Sequence, residues 1–217
     1  MIKIKLKHLS VLFSIIGILV LYAISLLAQP NVITLEEIPN FENKKVTVEG
    51  TVKEYHTTQY GSQMITIQDE NASAIVFSET EINLEYGDII KATGKVQKYD
   101  NDWEIIVDNN RFIEIIQHWE NKTTPLWELA EKPEKYAETN IKTQGYTDSV
   151  FDEYFYLTDE EIKQTIIVFY DKYTHGNIDT GEQIQITGFF KYDKENFRYI
   201  ITLTNEEHKI TKTTGEQ

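Results

Sequence analysis

Cysteine is absent from the 217-residue chain, and basic residues are few. The absence of cysteine excludes disulfides, thiolate catalysis, cysteine-ligated zinc and a lipid anchor on cysteine. The 21 Lys and Arg residues face 35 Asp and Glu residues, which gives a formal net charge of −14. A surface that binds a phosphate backbone is normally basic. The composition therefore argues against tight, non-specific nucleic-acid binding.

Motifs for catalysis and metal binding are missing as well. The five histidines are well separated in sequence, and no His-Glu-x-x-His pattern occurs, so no metal site is predicted. The sequence contains no phosphate-binding glycine loop and no nucleophile elbow. Carboxylate pairs such as Asp100 with Asp102 are typical of turns and of solvated charge. The sequence predicts a protein that is not an enzyme and that has no cofactor.

A long apolar run lies near the N-terminus. Residues 9–28 carry no charge, and Lys3, Lys5 and Lys7 precede them. About 20 apolar residues suffice to cross a bilayer as a helix, and positively charged flanks stay in the cytoplasm. The run predicts a single-pass membrane anchor over residues 9–28, with a cytoplasmic N-terminus and an extracytoplasmic remainder. A cleaved signal peptide is the alternative, although its apolar core usually has only ~7–15 residues.

One sequence unit then occurs twice. Gly87 and Gly181 lie 94 residues apart (181 − 87), and each is followed seven residues later by another glycine, Gly94 or Gly188. Both copies contain runs rich in β-branched residues, which favour strands. A duplicated order of strands is stronger evidence than any single strand. The predicted strands are 45–52, 64–69, 74–77, 89–97 and 103–107 in the first copy, and 140–145, 155–159, 165–169 and the two within 181–201 in the second.

Each copy is also predicted to begin with a short helix. In the first copy Thr34 can cap the helix over residues 33–41, with Glu37 three residues later. Five short antiparallel strands per unit suggest the oligonucleotide/oligosaccharide-binding (OB) barrel. The predicted fold class is all-β, with two tandem five-stranded OB-fold barrels preceded by one transmembrane helix. The predicted domains are an anchor (1–31), a first barrel (32–117), a second barrel (118–210) and a disordered tail (211–217).

Both copies resemble OB-fold domains of the nucleic-acid-binding type that are found beside tRNA-synthetase and helicase domains. The resemblance covers residues 32–210. It rests on the Val-Glu-Gly-Thr-Val, Ile-x-Ile-x-Asp and Gly-Asp-Ile-Ile-x-Ala-Thr-Gly segments of the first copy, and on Gly145, Asp159 and Gly188 in the second. These motifs imply the barrel, because glycine permits tight strand bends and aspartate serves hairpin turns. They do not specify a ligand.

The binding face of this fold comprises strands two and three and the loops that join strands one to two and four to five. In the first copy these loops are residues 54–62 and 99–103. Aromatic side chains there can stack on bases or sugar rings, while nearby lysines can contact phosphates. The alternative is that half of the aromatics pack on the barrel and the lysines form a solvated face. The predicted ligand-binding residues are Tyr55, Tyr60, Lys95, Tyr99 and Trp103, with Lys53 and Lys98 beside them.

The second copy is predicted to be a spacer or a protein-binding unit. Asp148, Asp152 and Glu153 crowd its first loop and would repel phosphates. The corresponding aromatic residues are Phe151, Tyr154, Tyr192 and Phe197.

The predicted function is a non-enzymatic, membrane-anchored binding module for single-stranded nucleic acid or an oligosaccharide. One alternative is a cell-envelope assembly module that docks envelope proteins, which suits the acidic tandem format. A second alternative is a haem chaperone. His118 lies roughly where the cytochrome c maturation chaperones, which are also single-span OB proteins, carry their haem-attaching histidine. The residues that follow His118 differ from that family's pattern, and that family has one barrel.

Overall fold

The computed structural model describes residues 6–27, 30–70, 72–100, 102–161 and 163–213. After an N-terminal helix, most of the regular structure is β-strand, arranged in two sheets. The strands are β1 (Asn31–Val32), β2 (Lys45–Thr57), β3 (Gln63–Gln68), β4 (Ser73–Ser78), β5 (Ile89–Tyr99), β6 (Asp102–Val107), β7 (Ile113–Gln117), β8 (Thr139–Val150), β9 (Tyr154–Thr158), β10 (Thr165–Phe169), β11 (Gln183–Asp193), β12 (Arg198–Thr202) and β13 (Ile210–Lys212).

Strands β2 to β6 close into a barrel, which we call barrel 1. Its strand order is β2-β3-β4-β6-β5, and pairing between β2 and β5 closes the ring. Strands β4 and β6 run parallel, and the other neighbouring pairs run antiparallel. A five-stranded Greek-key barrel with this order has the OB-fold. Strands β1 and β7 extend the sheet beside β2 and β5.

Strands β8 to β12 repeat this arrangement in barrel 2. The order is β8-β9-β10-β12-β11, and β8 pairs with β11 to close the ring. Strands β10 and β12 are the parallel pair. Strand β13 pairs with β11, so regular structure reaches residue 212 within the segment predicted as a tail. The domain boundaries at residues 31, 117 and 210 remain predictions, and residues 214–217 lie outside the described part of the chain.

The strands form where apolar residues alternate with polar ones. In β3, Ile65 and Ile67 are fully buried while Met64 and Thr66 are half-buried on the outer face. Successive side chains of a strand point to opposite faces. The buried apolar set therefore fills the interior of the barrel, and the alternating residues lie on its outer face. Each barrel has its own hydrophobic core.

Short helices precede each barrel and connect its strands. Before barrel 1, the Glu37 carboxylate accepts hydrogen bonds from the backbone N–H of Thr34 (3.0 Å) and from its hydroxyl (3.2 Å), which confirms the predicted cap. The helices are 3₁₀ segments (Leu35–Phe41, Asn110–Phe112 and Trp119–Asn121), α2 (Leu126–Glu131), α3 (Pro133–Tyr136) and α4 (Lys172–His175).

The N-terminal segment forms helix α1 (Leu6–Leu27), whose side chains are described from residue 9 to residue 25 and are exposed. No helix of the described residues is long and apolar enough to cross a membrane. The transmembrane part of the predicted fold class is therefore wrong. The predictions that depend on it are not supported either: a membrane contact of residues 9–28, a cytoplasmic N-terminus and extracytoplasmic barrels. Ala28 lies outside the described residues.

Direct contacts join the two barrels. The Lys53 ammonium donates hydrogen bonds to the carbonyl oxygens of Lys135 (2.7 Å) and Ala137 (2.8 Å). The backbone N–H of Asn140 donates to the carbonyl oxygen of Tyr86 at 3.1 Å. Gly87, at φ +100°, lies so close that a Cβ atom would be 2.6 Å from the carbonyl oxygen of Asn140. The barrels thus meet through the Lys53 side chain and through closely packed backbone atoms.

Candidate functional site

The predicted loop residues of barrel 1 lie on its surface at two separate places. Tyr60, in the turn between β2 and β3, is 85% exposed, and Tyr99, at the end of β5, is 66% exposed. Trp103 is half-buried against the core, with the Lys98 ammonium 5.6 Å from the centre of its ring. Lys95 is exposed on β5. Lys98 and Trp103 therefore form a pair at the β5–β6 turn, where Tyr99 also lies, and Tyr60 does not join them.

The strand register explains the separation. Tyr60 precedes the Gln63 end of β3, whereas Asp102, which pairs with Tyr99, starts β6 beside the start of β4. The five residue steps of β3 separate these ends by about 17 Å at ~3.3 Å per residue. The outer face of β3 and β4 lies between the two loops. Its half-buried side chains are Met64, Thr66, Ile75 and Phe77, which the sequence reasoning did not name.

Tyr55 and Lys53 lie at the junction between the barrels and not in an open groove. The ring of Tyr55 stacks on that of Tyr86, with centroids 5.0 Å apart, and Tyr86 contacts the edge of Phe189 in barrel 2. Burial, followed by the nearby Tyr86 and Glu85, raises the pKa of Tyr55. Lys53 is held by two backbone carbonyls, as described above, so its ammonium does not face solvent as a phosphate ligand. The prediction that Lys53 serves phosphates does not fit this position.

A cluster of aromatic side chains covers the outer surface of strands β9 and β10 in barrel 2. Tyr154 stacks on Phe151 with ring centroids 4.7 Å apart and an interplanar angle of 26°. It also contacts Tyr156 at 6.0 Å and Phe169 at 5.8 Å. Phe169 pairs with Tyr154 across the two strands, so the rings lie on one face. We call Phe151, Tyr154, Tyr156 and Phe169 the aromatic face.

Hydrogen bonds fix the loop residue of the aromatic face. The backbone N–H of Phe151 donates to the carbonyl oxygen of Tyr154 at 2.9 Å. The buried Tyr170 hydroxyl donates to the carbonyl oxygen of Phe151 at 3.0 Å. Phe151 itself remains 48% exposed. The ring is therefore accessible but positioned before any ligand arrives.

The sequence contained a signal for this face. Phe151 and Tyr154 were identified as loop aromatics of a predicted spacer unit, but Tyr156 and Phe169 were not identified. Tyr154 and Tyr156 alternate with the buried Phe155 and Leu157, so they occupy the outward positions of β9. Outward positions of an antiparallel sheet are usually polar. Two tyrosines at such positions therefore mark the face.

Charge around the aromatic face is more balanced than the sequence suggests. Asp152 forms an ion pair with Lys172 at 3.0 Å, and that hydrogen bond raises the pKa of Lys172. Asp148 pairs with Tyr156 across β8 and β9 and is exposed. One of the three loop acids is thus offset by a cation. The repulsion of phosphates expected from the sequence is reduced by that pairing.

His118 and His208 both lie next to polar groups of the protein. The side chain of His118 is 58% exposed, and its Nδ1 lies 3.4 Å from a carboxylate oxygen of Asp88. His208 is buried, its Nδ1 accepts the backbone N–H of Thr204 at 2.9 Å, and its Nε2 faces the Asn140 side-chain oxygen at 3.1 Å. Burial lowers the pKa of His208 to about 4. Over the described residues, no group of three or more His, Asp or Glu side chains could hold a metal ion.

Comparisons with known proteins give only distant likenesses. No protein-family model matches the chain, and no curated protein matches it. A putative aspartyl-tRNA synthetase from Leishmania major Friedlin is 14% identical over 42% of this chain, with a TM-score of 0.36. Asparaginyl-tRNA synthetase from Pyrococcus horikoshii is 18% identical over 39% of this chain, with a TM-score of 0.34.

The chain spans 21% of the Leishmania synthetase and 23% of the Pyrococcus one. An OBody bound to hen egg-white lysozyme is 19% identical over 42% of this chain, which spans 95% of the OBody, with a TM-score of 0.34. TM-scores below 0.5 are too low to carry an argument about fold or function. The strand order of the two barrels is what establishes the OB-fold here.

Proposed function

We propose that the protein is a non-enzymatic tandem OB-fold protein that binds single-stranded nucleic acid through the aromatic face of barrel 2. The observation that carries the proposal is the position of Tyr154, in contact with three other rings on the outer surface of strands two and three. Bases that are not paired expose their flat faces, and aromatic side chains bind them by stacking.

Stacking is the main source of affinity in this proposal. Each stacked base contributes about 1–3 kcal/mol where alanine substitution has measured it. Phe151 is the most exposed ring of the face, and its backbone is already fixed by Tyr154 and Tyr170. A fixed ring loses little conformational freedom on binding. The rigid cluster therefore favours binding of two or more successive bases.

The five residues predicted in barrel 1 supply a second, separate contact in this proposal. Tyr60 and Tyr99 are exposed enough to stack on a base, and Lys98 lies beside Trp103. Tyr55 has no part in this contact, because it lies at the junction of the two barrels, against Tyr86 and next to Phe189 of barrel 2. We therefore expect barrel 1 to contribute less affinity than barrel 2.

The net charge of −14 sets the kind of binding to expect. Salt dependence of binding reports the number of phosphates that the protein neutralises, with a slope of about −0.7 per phosphate for a single strand. If two phosphates are neutralised, the slope of log K against log salt is about −1.4. Binding would be weak in absolute terms and would resist salt.

A fluorescence-anisotropy titration of the full chain tests the proposal. The probes are a labelled single-stranded DNA, the same sequence as RNA, and the matched duplex, each at two salt concentrations. Binding of the single strands with a shallow salt slope, and weaker binding of the duplex, would support stacking on unpaired bases. Equal binding of duplex and single strand, or no binding of either at tens of micromolar protein, would contradict it.

An oligosaccharide is the second candidate ligand. Asp148 and Glu153 are exposed beside the aromatic face, and their carboxylates can accept hydrogen bonds from sugar hydroxyls. Aromatic rings also stack on sugars. If the nucleic-acid titration is flat while a mixture of soluble oligosaccharides shifts the backbone amide signals of β9 and β10, the glycan takes the place of the nucleic acid as ligand.

A further inference from the structure

The end of barrel 2 that faces its lead-in helices contains an open cavity. Its volume is about 210 Å³. The opposite walls are the α2–α3 segment and the strands β10 to β12. The apolar lining residues are Leu126, Leu129, Ala130, Ile166, Phe190 and Tyr199.

The break between α2 and α3 explains why a cavity remains at this end of the barrel. Helix α2 ends at Glu131 and helix α3 starts at Pro133, so the short helices are broken at Lys132. Ala130 and Pro133, on either side of the break, border the cavity, and Ala130 is exposed at its mouth. In barrel 1 a single 3₁₀ helix closes the same end with Leu35 and Ile38, which are 3% and 1% exposed. Leu126 and Leu129 have the same role in barrel 2 at 5% and 3%, and the cavity lies beside them at the break.

Strand register supports the comparison of the two barrels. Ile105 pairs with Val96 in barrel 1, and Ile201 pairs with Phe190 in barrel 2, so Trp103 and Tyr199 occupy equivalent positions. The larger ring of Trp103 packs against its core. Tyr199 stacks on Phe190 with centroids 5.2 Å apart and an interplanar angle of 5°, which forms a flat wall for the cavity.

Polar groups gather on the side of the cavity formed by β10 and β12. Arg198, Gln164 and Thr165 line it. Arg198 is the one charged residue in the lining. A guanidinium binds a carboxylate through two parallel hydrogen bonds, and it stays charged at any ordinary pH. The amide and the hydroxyl can donate further hydrogen bonds. The cavity therefore combines flat apolar walls with one site for an anion.

We propose that this cavity binds a small planar aromatic carboxylate, with its ring against Tyr199 and its carboxylate at Arg198. Offset stacking of an aromatic ring on Tyr199 would add to the burial of apolar area. The site is distinct from the aromatic face, because Tyr199 and Phe190 belong to the inner side of the barrel whereas Tyr154 and Phe169 lie outside it. The proposal is therefore independent of nucleic-acid binding.

Two nearby acids oppose the proposed ligand, because Asp193 pairs with Arg198 across β11 and β12 and Glu134 lies near Tyr199. The pKa of Tyr199 is raised by burial and by the carboxylate of Glu134, which places that carboxylate within electrostatic reach of the wall. A bound carboxylate would be repelled by it. Replacing Glu134 with glutamine should therefore strengthen binding, whereas replacing Arg198 with glutamine should weaken it. The opposite signs distinguish a charged ligand from a purely apolar one.

Titration of the full chain with benzoate, followed by the backbone amide signals of Ile166 and Phe190, tests the proposal. Benzamide is the uncharged probe of the same shape. We expect benzoate to bind at least about tenfold more tightly than benzamide, because a charge-assisted hydrogen bond is lost with the neutral probe. R198Q should remove that preference, and E134Q should increase it. K194Q, in the same β11–β12 hairpin but outside the lining, should leave it unchanged.

A cavity-filling variant provides the steric test. A130L places a larger side chain in the lining, so the benzoate-induced signal changes should disappear while the rest of the amide spectrum keeps its dispersion. The proposal is overturned if benzoate and benzamide bind equally to the unmodified protein, or if benzoate causes no change at Ile166 and Phe190. It is also overturned if A130L binds benzoate as before.

Discussion

The Nζ atom of Lys53 in barrel 1 lies 2.8 Å from the carbonyl oxygen of Ala137, in the segment that leads into barrel 2. The same ammonium donates to the carbonyl oxygen of Lys135. The ammonium of this half-buried lysine in barrel 1 is thus hydrogen-bonded to two backbone oxygens of the segment that leads into barrel 2. Because the helix that supplies these oxygens also borders the barrel 2 cavity, the contact fixes that helix as well as the junction.

The first prediction concerns the pH dependence of this contact. Burial lowers the pKa of Lys53 from 10.5 to about 8 in the folded protein. Between pH 8 and pH 10.5 the unfolded chain therefore binds more protons than the folded chain, so stability rises with pH in that window. The contribution is lost as the pH falls through 8. The midpoint of urea unfolding should increase from pH 7 to pH 9.5, and Lys53→Met should flatten that increase. An equal increase in the variant would rule out Lys53 as its source.

The second prediction concerns backbone packing at the junction. A Cβ atom at Gly87 would lie 2.6 Å from the carbonyl oxygen of Asn140, and φ is +100°. Gly87→Ala should therefore combine a conformational cost with a steric clash and destabilise the protein by at least about 2–3 kcal/mol. Gly61→Ala is the matched control, because φ is +82° there and no atom lies within 4 Å. The control should cost only about 1–2 kcal/mol. Similar losses for both variants in urea unfolding would mean that the junction is not closely packed.

The third prediction uses His208, which ties the segment after β12 to Asn140. Burial depresses the pKa of His208 to about 4, whereas an unfolded histidine titrates near 6.5. As the pH falls from about 6.5 towards 4, the unfolded chain takes up a proton that the folded chain does not, so stability falls. His208→Gln should be less sensitive to pH between 7 and 5.5 in thermal unfolding. The exposed His56 is the control position, and His56→Gln should keep the pH dependence of the unmodified protein.

The fourth prediction tests the preorganisation of the aromatic face. Tyr170→Phe removes the hydroxyl that donates to the carbonyl oxygen of Phe151. The loss of a neutral hydrogen bond should cost about 0.5–1.5 kcal/mol of stability. Because Phe151 is then less firmly placed, the dissociation constant for a short single-stranded oligonucleotide should rise several-fold. If the affinity in the anisotropy titration is unchanged while stability falls as expected, ligand binding does not depend on the hydrogen bond that holds Phe151.

Much of the fold could be predicted because its determinants are local. The alternation around Ile65 and Ile67 indicates a strand with one buried face, and Thr34 with Glu37 indicates a helix start. The repeat of Gly87 at Gly181 shows that the strand order occurs twice. The strand ends were less accurate: β2 continues to Thr57, because a bulge between Val52 and Glu54 lets it bend and keep pairing with β3.

The junction and the site could not be predicted in the same way. The position of Lys53 depends on how two barrels pack together, and no local pattern encodes a hydrogen bond to Ala137, 84 residues away. Tyr55 was expected in a binding loop for the same reason and lies against Tyr86 instead. The membrane anchor was inferred from the apolar run alone and is not supported by the described helix. The sequence underestimates the aromatic face, because it does not show that Asp152, one of the three nearby acids, is paired with Lys172.

Nucleic-acid binding by the aromatic face is the central claim, and one comparison of variants tests it most directly. Tyr154→Ala removes the ring at the centre of the face. Trp127→Ala removes a ring that is 53% exposed on α2, which lies at the Thr165 end of β10, opposite to Phe169. Anisotropy titrations of the full-length variants with one labelled single-stranded oligonucleotide should show a dissociation constant about 5- to 150-fold higher for Tyr154→Ala, which corresponds to the loss of about 1–3 kcal/mol of stacking. Trp127→Ala should match the unmodified protein. Equal affinities for both variants, with the folded state intact by circular dichroism, would contradict the proposed site.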